Sequence, residues 1–143
     1  MSTKTKSMIT IGGRVLLGLI YFIFGLNFFF HFLPDQPQLD SAVGAYLGGL
    51  FQAGYFFPLM KGIEVAAGVL LIVGFFVPLA TVVLAPISLH IFLFHTILAP
   101  HGAPIGILVL VLNLLLALAY RDNFKAIFQS KAGVSLQGKI IYS

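Results

Sequence analysis

Four long apolar stretches, each closed by a proline or a charged run, limit what this chain can fold into. They are Ile9–Leu33, closed by Pro34; Leu59–Val77, closed by Pro78; Leu79–Leu98, closed by Pro100; and Ala103–Tyr120, closed by Arg121-Asp122-Asn123. A helix rises ~1.5 Å per residue, so ~20 apolar residues span the ~30 Å hydrocarbon core of a bilayer. Proline cannot continue the helical hydrogen-bond ladder, which makes it a natural stop. The prediction is an all-α fold: a four-transmembrane-helix antiparallel bundle, in one domain over residues 1–143. Composition supports lipid as the main solvent. Only 8% of residues are charged and 59% are hydrophobic, against roughly 25% charged in an ordinary soluble domain.

The first stretch is too long for the apolar core of a signal peptide, and no small-x-small cleavage site follows it. It is expected to stay as an uncleaved first span. Between the first two spans lies PDQPQLDSAVGAYLGGLFQAGYFFP, residues 34–58. PDQP reads as a turn, and Asp40 or Ser41 can cap a short helix. Leu39, Val43, Tyr46, Leu47, Leu50 and Phe51 recur at helical spacing, so a short extracytoplasmic helix over the bundle mouth is expected. The turns after spans two and three are short, which makes their helices antiparallel neighbours.

Lys and Arg set the orientation. Of the 8 such residues all but Lys61 lie at the start of span one or after span four. Both termini are therefore expected on the cytoplasmic side of an inner, plasma-type membrane. Phe124, Ile127 and Phe128 stand at helical spacing among lysines, so the tail 121–143 is expected to lay an amphipathic helix on the inner leaflet. Gly12, Gly13, Gly18 and Gly25 in span one, and Ala66, Ala67 and Gly68 in span two, allow close helix approach. A net charge of +4, scattered along the chain, argues against nucleic acid as a partner. The absence of cysteine removes disulfides, thiolate metal sites and thiol chemistry.

Ionisable groups inside a bilayer are costly unless paired or wet, so each is a candidate site. At ~1.5 Å per residue, Asn27 lies about 9 Å below the outer edge and His31 about 3 Å below it. On the same scale Glu64 lies about 9 Å deep with Lys61 shallower, His95 about 5 Å and His90 about 12 Å. Asn27 and His31, four apart, share a helix face. They are expected to meet Glu64 and His95 in a polar pocket in the outer half, with Lys61 and His90 nearby. Arg14 stands alone near the inner face.

Each of these residues also has a purely structural reading. His31 and His95 can snorkel to the outer boundary, and Arg14 to the inner headgroups. Glu64 can pair locally with Lys61, and Asn27 and Asn113 can hold helices together. His31, Glu64 and His95 are ligand types that suit zinc or iron. They come from three helices and form no spacing motif, so no metal site is predicted. A haem between His31 and His95 requires facing helices. A quinone or lipid headgroup in an apolar cleft requires fewer coincidences, since a His can donate to a carbonyl and a buried Glu can pass protons.

GRVLLGLIYFIFGLNFFFHFLP, residues 13–34, resembles the opening helix of DoxX-type membrane proteins, with an early Arg and a Gly in its second half. LMKGIEVAAGVLLIVGFFVPLA, residues 59–80, is similar to their second helix, where a Glu precedes small residues. LAPISLHIFLFHTILAPHGAPIG, residues 84–106, resembles the third helix and following turn of a subgroup. The resemblance implies a small four-helix integral membrane protein. Some members are linked to thiosulfate:quinone oxidoreductase or other membrane oxidoreductase complexes, and many have no established activity. It carries Arg14 and Glu64 over as family residues, and Asn27, His31 and His95 for the subgroup.

Two classes of function follow. In one, the chain is a subunit or accessory of a membrane oxidoreductase that binds a quinone or similar amphiphile. Glu64 and His95 are then the candidate catalytic groups, and Asn27, His31, Lys61 and His90 the ligand-binding ones. Without cysteine, such a role must run through a bound cofactor or a partner subunit. In the other, it is a scaffold or lipid-handling module whose polar cluster is packing. Membrane lipids are partners in both, and the sequence sets no oligomeric state.

Overall fold

The computed structural model describes residues 2–34, 41–125, 127, 133–136 and 139–142. Among these residues are five α-helices: α1 (Thr3–Phe30), α2 (Ser41–Gln52), α3 (Phe56–Val73), α4 (Val77–Leu93) and α5 (Ala103–Ala119). α4 runs on into a π turn at Phe94–Leu98, and a single 3-10 turn, Pro100–Gly102, leads into α5. Among the described residues, four segments are long and apolar enough to cross a membrane: Lys4–Phe30, Phe56–Val73, Val77–Leu98 and Pro100–Ala119. The all-α, four-span bundle and the short helix between its first two spans are thus both present.

The helix boundaries differ from the sequence reading for local reasons. α1 ends at Phe30, not Leu33, because His31 adopts the left-handed conformation (φ 49, ψ 46). The His31 N–H bonds the Asn27 carbonyl at 2.8 Å, and Asn27 Oδ1 accepts the Leu33 N–H at 2.7 Å. Together these bonds close the helix end that would otherwise hold unpaired groups. α3 stops at Gly74, whose φ of 85 breaks the ladder without steric cost. Pro78 therefore does not close α3. It lies in the first turn of α4, where a missing N–H is harmless.

The spans form two close pairs. In α1–α3, a Cβ on Gly18 would lie 2.9 Å from the Gly68 carbonyl, and one on Gly68 would lie 2.9 Å from the Gly18 carbonyl. Gly25 repeats this two turns on, where a Cβ would sit 2.7 Å from Val65 Cγ2. In α4–α5, a Cβ on Gly106 would approach the Ile91 carbonyl to 3.2 Å. Only glycine lets the backbones approach this far. Asn113 Nδ2 donates to the Thr81 carbonyl across the second pair (3.3 Å).

The two pairs meet in the half of the bundle nearer the chain's ends. There Leu17, Leu71, Leu84, Leu112 and Leu116 form the core. A buried hydrogen bond between Tyr21 Oη and Ser88 Oγ (2.7 Å) joins α1 to α4 at the edge of this core.

The tail departs from the sequence reading. Residues 121–124 form a 3-10 turn that buries Phe124, so this aromatic does not belong to a helix lying on the leaflet. Residues 133–136 and 139–142 pair as a small antiparallel ribbon, Gly133 opposite Tyr142 and Leu136 opposite Lys139. The β-branched Val134, Ile140 and Ile141 favour the pleat over a helix. Phe128 and Lys131 lie outside the described residues, as do Asp35 and Asp40.

Candidate functional site

Beyond the Tyr21–Ser88 bond the two pairs stand apart, and between them lies a cavity of about 950 Å³. Most of its wall is apolar: Ile20 and Phe24 from α1, Ile91 and Phe94 from α4, Ile105 and Val109 from α5. Val43 and Leu47 of α2 also line it, so α2 closes one side. Its polar lining groups are Tyr21, Lys61, Glu64, His95 and His101.

α2 is held by aromatic contacts. Phe51 packs on Phe57 (ring centroids 4.3 Å apart), and Phe57 in turn on Phe28 (5.9 Å). Tyr46 stacks on His90 at 6.1 Å, with Tyr46 Oη 3.4 Å from His90 Nε2. His90 therefore contacts the covering helix and does not line the cavity. Val43, 2% exposed, anchors the helix inward.

Glu64 is 1% exposed. One turn earlier, Lys61 Nζ donates to both of its carboxylate oxygens, at 2.8 and 3.1 Å. A buried carboxylate in an apolar wall needs such a partner, because an unpaired charge there is strongly disfavoured. The formal charges of the pair cancel.

His95 sits in the π turn, where the ladder spacing changes from four residues to five: the Ala99 N–H bonds the Phe94 carbonyl at 3.0 Å. Such turns recur at functional sites. His95 Nδ1 lies 2.9 Å from the Ile91 carbonyl. A carbonyl oxygen can only accept, so Nδ1 carries the proton and, in the neutral ring, Nε2 is a bare acceptor. The expectation that His95 donates to a carbonyl ligand therefore holds only for the protonated ring. The Cδ2–Nε2 edge lies over Gly102, where a Cβ would meet Nε2 at 2.7 Å.

The cavity thus brings Lys61, Glu64 and His95 together and leaves out Asn27 and His31. The expected shared face of Asn27 and His31 does not form, because His31 has left the helix and is exposed. Asn27 is occupied in terminating α1. Arg14 lies at the opposite end of α3, its guanidinium packed against Gly74 and its Nε buried without a hydrogen-bond partner among the described residues. No group of three or more His, Asp or Glu close enough to hold a metal ion occurs among the described residues.

Two cavity residues escaped the sequence reading. His101 was hidden in a segment read only as a turn. Tyr21 had a usable signal, since a phenol inside a span needs a partner for its hydroxyl.

The DoxX family model matches residues 9–97. The matched segment includes most of α1, the whole of α2, α3 and α4, and the cavity residues Lys61, Glu64 and His95. No curated protein and no solved structure matches the chain. With well over half of its length matched, and with the four apolar spans expected of a small multi-pass membrane protein, the chain belongs to the DoxX family.

Proposed function

We propose that this chain is a subunit or accessory of a membrane oxidoreductase and holds a quinone or similar amphiphile in the cavity beside α2. The observation that carries this reading is the cavity itself. Its volume of about 950 Å³ lies at the upper end of the range for small-molecule sites, ~300–1,000 Å³. Like such sites it is mainly apolar, with a few converging polar groups. In this reading the apolar wall takes the ligand's ring and tail, His95 contacts its head, and Glu64 relays protons with Lys61 as its counter-charge. The membrane is an inner, plasma-type one with both termini cytoplasmic, supported by the basic residues at the chain's two ends. A partner subunit supplies the electron path.

The test is native mass spectrometry of the protein extracted gently from its own membranes, followed by Glu64→Gln and His95→Ala. A co-purifying quinone or second subunit, lost or weakened in the variants, supports the proposal. A bare chain, with quinone-linked activity unchanged in both variants, refutes it.

A second reading is a scaffold or lipid-handling module. It is favoured by the way polar groups are satisfied within their own segments: Glu64 by Lys61, His95 Nδ1 by Ile91, and Asn27 Oδ1 by Leu33. It predicts that Glu64→Gln leaves partner association intact.

A further inference from the structure

We infer that the cavity selects a neutral amphiphile whose head carries a hydroxyl donor, and that His95 Nε2 is the group that reads it. This rests on the reading of the cavity as a ligand site and adds the chemical class of the ligand.

Four observations, three on the His95 ring and one on the facing wall, converge. The Nδ1 proton of His95 is committed to the Ile91 carbonyl at 2.9 Å, so the neutral ring offers only a lone pair at Nε2. That edge faces Gly102, itself a cavity residue. Nε2 takes no hydrogen bond from any described residue. Finally, Lys61 and Glu64 neutralise each other in the wall, so the cavity presents no net charge to an ionic head.

An O–H on the ligand satisfies Nε2. An ether or carbonyl oxygen in the same place sets lone pair against lone pair and leaves the acceptor unsatisfied. Anionic heads meet the Glu64 carboxylate and gain no free cation. Among ring amphiphiles this favours phenols and, of the two states of a quinone, the hydroxylated one. The aliphatic and aromatic lining accepts the tail without regard to its chemistry.

The experiment uses the full chain in phosphatidylcholine nanodiscs, with empty nanodiscs as the partition blank. Tritiated dodecylphenol is the probe and its O-methyl ether, which lacks only the donor, is the comparison. The phenol is expected to bind about tenfold more tightly than the ether, and His95→Phe is expected to abolish that preference. Gly102→Ala, whose methyl overlaps the Cδ2–Nε2 edge and so displaces the ring, is expected to do likewise and serves if His95→Phe does not fold. Equal binding of the two compounds to the unmodified protein overturns the donor inference and leaves the cavity reading standing. A preference that survives both substitutions overturns the assignment to His95. Binding of neither compound above the blank overturns the cavity reading as well.

Discussion

In the half of the bundle nearer the chain's ends, the α1–α3 and α4–α5 pairs close on a leucine core. In the other half the same two pairs enclose a cavity of about 950 Å³. Among the described residues, the buried hydrogen bonds between helices lie on the closed side. Tyr21 with Ser88, and Asn113 with the Thr81 carbonyl, satisfy each other between helices and tie the closed half together. In the open half Lys61 and Glu64 pair along one helix, and His95 bonds its own backbone. Bonds between helices hold a bundle shut. Bonds within a helix keep a polar group in place without drawing the neighbouring helix in, so the space beside it stays open.

The largest expected effect probes the open half. Lys61→Met strands the Glu64 carboxylate in an apolar wall and should cost about 3–5 kcal/mol of unfolding free energy. The double variant Lys61→Met with Glu64→Leu should recover most of that loss. Unfolding in mixed micelles, followed by circular dichroism, measures both. A single-variant cost below about 1 kcal/mol would mean that the carboxylate is hydrated and the cavity wet.

Next is the α1–α3 contact. Gly68→Ala forces a methyl onto the Gly18 carbonyl and should cost about 1–3 kcal/mol. Gly62→Ala, on an open face of the same helix with nothing within 4 Å of the added carbon, is its control. It should be neutral or stabilising by up to about 1 kcal/mol. Equal effects at the two sites in the same unfolding assay would refute the close approach.

Tyr21→Phe removes one buried interhelical hydrogen bond and should cost about 1 kcal/mol in that assay. A larger loss would mean that this bond also keeps the two halves distinct.

The smallest effect on stability is predicted for Leu47→Phe, which adds volume to α2 where it borders the cavity. It should change stability by less than about 0.5 kcal/mol while weakening dodecylphenol retention in nanodiscs. If stability falls as far as it does for Gly68→Ala, the open half is packed as tightly as the closed one.

Much of this was legible in the sequence. The four spans, the short helix between the first two and the Lys61–Glu64 pair all follow from local pattern. Hydropathy depends on which residues are present, and a pair three apart on one helix depends only on helical geometry. The candidate cluster was half legible. Glu64, Lys61 and His95 do line one cavity, whereas Asn27 and His31 were placed there on the assumption that α1 continues to Leu33. One left-handed residue, held by the Asn27 side chain, removes both. The place of Phe124 was not legible, because the spacing of apolar residues along the chain does not record that a 3-10 turn buries it.

The sequence by itself determined that the chain is a four-span α-helical membrane protein, because lipid offers the backbone no polar partner and continuous apolar runs of ~20 residues satisfy their own backbone as helices. It also determined which charges fall within the apolar spans and that cysteine chemistry is absent. Tertiary structure alone decided that the spans pair as α1–α3 and α4–α5, that the pairs separate in one half, and that α2 borders the space. It also decided which nitrogen of His95 remains free. Helix rotation and close approach depend on side chains from different spans meeting, and the spacing of residues along one helix does not record what faces it from the next.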